Sequence, residues 1–111
     1  MSLYGRYLKE TFGKDIIEDA EGFASYSIVG NECYVETVYV IPEVRCQGKA
    51  PYLVNKIAEI AKENGCTYLS TTINPGINNP EKSMRVITNY GFKFHSCDQN
   101  RIYFIKELTN V

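Results

Sequence analysis

Two hydrophobic periods alternate along the chain, and the switches between them mark its elements. From Ser2 to Phe12 the apolar residues Leu3, Tyr4, Tyr7, Leu8 and Phe12 recur at helical spacing, with Gly13 as the stop. Asp15 to Glu18 has the length of one short strand, and Asp19-Ala20-Glu21-Gly22 is turn chemistry. Phe23 to Val29 reads as a strand, Gly30-Asn31 as a hairpin turn needing positive φ, and Cys33 to Ile41 as a long strand. Strict alternation puts Tyr34, Glu36, Val38 and Val40 on one face of that strand and Val35, Thr37 and Tyr39 on the other.

The second half repeats the contrast. Ala50, Leu53, Val54, Ile57, Ala58 and Ala61 form one stripe, so the spacing predicts a helix over Ala50 to Asn64, with Pro51 in its first turn and Gly65 at its end. Thr67 to Ile73 is β-rich, Asn74 to Pro80 (NPGINNP) is loop, and Glu81 to Tyr90 is a shorter helix ended by Gly91. Phe92 to Cys97 and Arg101 to Glu107 are strands joined by Asp98-Gln99-Asn100. A strand–helix–strand crossover in the middle requires at least one parallel pair. The predicted class is α/β of the α+β kind, a mixed sheet packed by helices.

At 111 residues, without repeats or linkers, the chain reads as a single domain over residues 1–111. Twelve Lys and Arg against thirteen Asp and Glu give a net charge of −1, with no basic excess for a nucleic-acid backbone. The apolar runs fall short of the ~18 residues of a membrane span, and MSLYGRYLKE lacks the apolar block of a secretion signal. Cys33, Cys46, Cys66 and Cys97 form no Cys-x-x-Cys pair, and the single His95 gives no zinc spacing. The expectation is a cytoplasmic protein with reduced thiols and no metal.

One segment carries chemistry. In VIPEVRCQGKAPYLVNKI (Val40 to Ile57) a strand gives way to the long helix through a glycine and a small residue two apart. A helix N-terminus has unpaired N–H groups and a partial positive charge, which favour anions. Gly48 removes a side chain from the approach, Ala50 shortens another, and Arg45 adds a cation whose fork suits phosphate. Taken alone, the six residues Arg45 to Ala50 fit a diphosphate cradle or a plain tight turn.

This run resembles the acyl-coenzyme-A-binding motif of the GNAT-superfamily N-acetyltransferases: a hydrophobic strand, Val-x-Pro, then Arg/Gln-x-x-Gly-x-Gly/Ala opening a long helix. Val40, Pro42, Arg45, Gly48 and Ala50 match it in order and spacing, and SMRVITNYGFKF (Ser83 to Phe94) resembles the family's later helix ending in Gly-Phe. The resemblance implies a mostly antiparallel central sheet with one splayed parallel pair. It implies acetyl-CoA as cofactor, its pantetheine arm along Val38, Tyr39 and Val40. Its diphosphate would lie on the amides of Gln47 to Ala50, including Gly48, with Arg45 and Lys49 as charge partners. Lys49 is equally well a solvated surface lysine.

Direct acetyl transfer needs a base for the amine, a polarised thioester and a proton for the thiol. Glu36 on the strand beside the groove is the candidate base; a solvent-facing or lysine-paired glutamate is the competing reading. Many family members carry a tyrosine four residues before the glycine of Gly-Phe, and Ile87 stands there instead. Tyr90 is a candidate acid only by proximity, since three residues turn an ideal helix by about 300°. Asn79 and Ser83 lie where the family places small polar cofactor contacts, with helix capping as the alternative. Cys46 lies within the cradle but has no neighbouring base, which argues against covalent catalysis.

Relative to typical members, the stretch from Gly13 to Glu32 has room for two short strands only. The acceptor side is then either open, suiting a protein side chain or terminus, or completed by a second subunit in a homodimer; the amine itself is expected on a small molecule or a protein. The expected function is acetyl-CoA-dependent N-acetyl transfer to an unidentified amine. A catalytically silent module that binds CoA or a protein partner is the alternative.

Overall fold

The computed structural model describes residues 2–76 and 80–108. Its elements run α1 (Leu3–Phe12), β1 (Asp15–Asp19), β2 (Gly22–Val29), β3 (Glu32–Val40), a 3-10 turn (Pro42–Val44), α2 (Lys49–Glu63), β4 (Tyr68–Ile73), α3 (Pro80–Tyr90), β5 (Lys93–Asp98) and β6 (Arg101–Glu107). The six strands form one sheet in the order β1-β2-β3-β4-β6-β5. Among the described residues only the β3–β4 pair is parallel. That pair follows from α2, which carries the chain back so that β4 starts at the same end as β3.

Each helix ends where its chemistry runs out. Ser2 caps α1, its hydroxyl accepting from the Gly5 amide, and Gly13 closes the helix at φ 70. The Gly13 and Lys14 amides return to the carbonyls of Lys9 and Leu8, the paired bonds of a Schellman motif. The α2 stripe buries Leu53, Ile57, Ala58 and Ala61 against Ala24, Tyr26, Cys33, Val35, Leu69 and Phe104. Met84, Ile87 and Tyr90 of α3 pack on the same cluster. Phe23 alternates with the core residue Ala24 and so faces the other way, where its ring meets Tyr4 of α1 at 5.6 Å.

Strict alternation fails in β3. Ser25 pairs with Thr37 but Tyr26 pairs with Val35, leaving Glu36 as an extra residue in a β-bulge. The bulge shifts the phase of the strand. Val38, opposite Ala24, shares the α2 face with Val35, opposite Tyr26, and Val40 follows on that face. Tyr34, opposite Ser27, and Tyr39, opposite Phe23, take the α1 face. The expected grouping of Tyr34 with Val38 and Val40 is therefore corrected, because a local insertion resets a period of two.

Candidate active site

The site is built where β3 and β4 part. They pair over three positions only, Glu32 with Tyr68, Cys33 with Leu69 and Tyr34 with Ser70. One position further on, the Thr71 hydroxyl donates to the Val35 carbonyl at 2.9 Å. Beyond that, β3 runs on to Val40 with no register to β4, and the Glu36 bulge lies at the fork. The splayed parallel pair implied by the motif is present.

At the far end of β3 the chain turns through Pro42–Val44 into α2. Cys46 at φ 64 and Gly48 at φ 83 place two left-handed residues two positions apart, the kind of backbone that turns successive amides toward one side. Gly48 is the α2 N-cap, and no side chain caps the helix. A Cβ added at Gly48 would meet nothing within 4 Å, so glycine serves the backbone angle here and the space beside it is open. A shallow cavity of about 330 Å³ lies there, lined by Gln47, Gly48, Lys49, Tyr52, Val44 and Glu21. Ala50 is partly buried against the core.

The two expected charge partners have prior engagements. Arg45 Nε donates to the Val40 carbonyl at 2.9 Å, and its guanidinium lies 5.6 Å from the Tyr39 ring centroid. Of the segment Val38 to Val40, the last carbonyl is thus occupied. Lys49 pairs with Asp19, at whose carboxylate it donates, and with Glu21 at 3.5 Å. That hydrogen bond from Lys49 holds the Asp19 carboxyl below its ordinary value. Cys46 is exposed, and His95 sits on the edge strand β5 with its ring against Tyr103, three strands from β3. No base accompanies the Cys46 thiol from that quarter. Burial pushes the core thiol of Cys33 up to about 12, which keeps it protonated.

On the α1 face the fork opens into a cleft of about 1080 Å³, walled by Tyr34, Glu36, Thr72, Ser96, Asp98 and Tyr103 among others. The bulge delivers the Glu36 carboxylate to it, where the Lys14 ammonium forms an ion pair. Two hydroxyl networks stiffen the floor. Tyr34 and Thr72 share a hydrogen bond of 2.7 Å. The Glu32 carboxylate accepts from the Tyr103 hydroxyl at 2.5 Å and the Ser70 hydroxyl at 2.5 Å. Burial, then the bond to Glu32, pushes the Tyr103 phenol up to about 12. With its proton committed to Glu32, the Tyr103 oxygen has lone pairs left for other donors.

Sequence reasoning missed this network. Its only signal was hydroxyl residues recurring at alternate positions of β4 (Ser70, Thr72), which becomes informative only once β6 is known to lie beside β4.

The α3 candidates are dispersed. Tyr90 donates its hydroxyl to Asn55 of α2, stacks near Phe92 at 5.9 Å, and has its phenol pushed up by burial. Ile87 packs against the core where the motif more often carries a tyrosine. Ser83, the fourth residue of α3, is partly buried. Asn79 lies outside the described residues. No described helix is long and apolar enough to cross a membrane.

A parallel pair opening at a bulge, beside an uncapped helix start, is the arrangement that the motif's resemblance implies. The model of the Acetyltransferase (GNAT) family matches residues 9–92, and this chain belongs to that family. A thialysine N-epsilon-acetyltransferase of Bos taurus is 38% identical over 52 residues, covering 46% of this chain and 31% of that protein. The chain thus aligns with about a third of that relative. Among solved structures, the Paia N-acetyltransferase of Thermoplasma acidophilum, determined in complex with coenzyme A, superposes with a TM-score of 0.74. It is 18% identical and covers 95% of this chain and 68% of its own. Nourseothricin acetyltransferase gives a TM-score of 0.71 at 22% identity, covering 80% of this chain and 58% of its own. At such identities these structures share the fold.

Proposed function

We propose that the chain is an acetyl-CoA-dependent N-acetyltransferase that moves an acetyl group directly to an amine. The fork between β3 and β4, with Glu36 at its bulge and the open N-terminus of α2 beyond it, carries the reading. The residues fit the cofactor. Amides from Gln47 to Ala50 would receive the diphosphate, and the left-handed Gly48 keeps the approach clear. Arg45 has guanidinium donors left after its bond to Val40. Lys49, spent on Asp19 and Glu21, would contribute little. The backbone of Val38 and Tyr39, unpaired to β4, offers peptide groups to an extended amide chain.

Bound there, acetyl-CoA supplies an activated thioester. The chain supplies the rest: Glu36 takes the proton of an amine entering the cleft, and the floor of Tyr34, Thr72 and Tyr103, the last held from behind by Glu32, keeps that amine in place. No cysteine or histidine enters.

The test combines binding and turnover. Acetyl-CoA is expected to raise the melting temperature, and labelled acetyl-CoA to modify one member of an amine panel. Absence of any shift at millimolar cofactor would remove the reading. A second reading, a CoA-binding module without catalysis, draws on Ile87 filling the position where the motif more often has a tyrosine. It predicts the shift with no acetyl transfer to any amine.

A further inference from the structure

The candidate base already holds an amine. Lys14 is the residue after the helix-closing Gly13, and its amide is tied to the Leu8 carbonyl at 3.3 Å, so its backbone is anchored. Its Nζ lies 5.4 Å from the Phe12 ring centroid and pairs with Glu36 Oε2 at the cleft wall. Both side chains are partly shielded, with relative exposures of 25% and 34%. Lys9 pairs with Asp15 and Lys49 with Asp19, neither of which lines the cleft. Among the described residues, Lys14 is the lysine whose ammonium rests on a cleft carboxylate.

We propose that Lys14 is itself an acetyl acceptor, modified in cis by its own chain. This rests on the acetyltransferase reading, since it uses the same base and the same donor. Nζ bonds to the acetyl carbon of acetyl-CoA as the carbon–sulfur bond breaks. Of the two protons that Nζ gives up, one ends on the coenzyme A thiol and the other passes through Glu36 to solvent. The product is a neutral amide, which no longer forms an ion pair with a carboxylate. Acetylation therefore releases Glu36 to receive an external amine, and Lys14 works as a substrate that primes the site.

The experiment maps label by peptide mass after the whole protein is incubated with isotopic acetyl-CoA alone. Lys14 is expected to be labelled several-fold faster than the exposed Lys62 and Lys82, at a rate independent of protein concentration, and slowed to their level by Glu36→Gln. A cofactor-free arm uses trace N-hydroxysuccinimidyl acetate: Lys14 reacts several-fold more slowly than Lys62, and Glu36→Gln removes the difference. Equal labelling of Lys14 and Lys62 in the unmodified protein in either arm overturns the proposal. So does a rate that rises with protein concentration. Transfer to external amines with no label on Lys14 overturns it while leaving the acetyltransferase reading intact. No transfer to any amine, with a preserved cofactor-induced melting shift, overturns both.

Discussion

Single residues carry the tests of the proposed site. Gly48 holds φ 83, where an L side chain costs about 1–2 kcal/mol. Gly48→Ala is expected to lower stability by about 1 kcal/mol in urea while the cavity stays open; Gly48→Glu also sets a carboxylate over the amides and removes the acetyl-CoA melting shift. Glu36→Gln keeps the shape but removes the proposed proton acceptor, so kcat is expected to fall on the order of 10²-fold with cofactor affinity nearly intact, read from steady-state rates and a melting titration. Tyr103 makes the pH prediction. Its folded value, about 12, stands above the ordinary 10.0, so the unfolded chain loses that proton first. The stability it contributes is complete below 10.0 and is lost as pH rises toward about 12. Urea midpoints measured between about pH 9 and about pH 11 are expected to fall less steeply in Tyr103→Phe than in the parent.

At the scale of elements, helices and strands were legible because each repeats one simple period. Among the described residues, the three α-helices and six strands stand within a residue or two of the spans that periodicity marks, including the α1 end at Gly13 and the α3 end at Gly91. The Glu36 bulge was not legible. Nothing in Val35-Glu36-Thr37 breaks the alternation, since the extra residue is defined only by the partner strand β2. The engagements of Lys49, Arg45 and Lys14 were hidden for the same reason: each partner is separated in sequence or lies on another element. Gly22, at the β2 start, shows how tightly two strands can approach. A Cβ there would collide with the Tyr39 carbonyl oxygen, which is backbone and cannot swing aside. Gly22→Ala is expected to cost about 2 kcal/mol or more, seen as a lower urea midpoint, and to loosen β2 from β3 beside the cofactor-side segment.

For the whole molecule, the family resemblance followed from two motifs plus element order, whereas the acceptor did not. The cleft is assembled from β3, β4, β5 and β6, whose juxtaposition no local pattern states. A small domain with a site between strands couples ligand to global stability. Saturation to 100 times the dissociation constant would add about 2.7 kcal/mol, which for a chain of this size raises the melting temperature by roughly 10 °C or more. Strand order has its own outcome for biosynthesis. Made after both of its neighbours, β6 occupies an interior place between β4 and β5. A ribosome working from the N-terminus therefore leaves two older strands waiting for the youngest. Nascent chains arrested before Arg101 are expected to be held by chaperones and cut readily by protease, and those released beyond Glu107 to resist both.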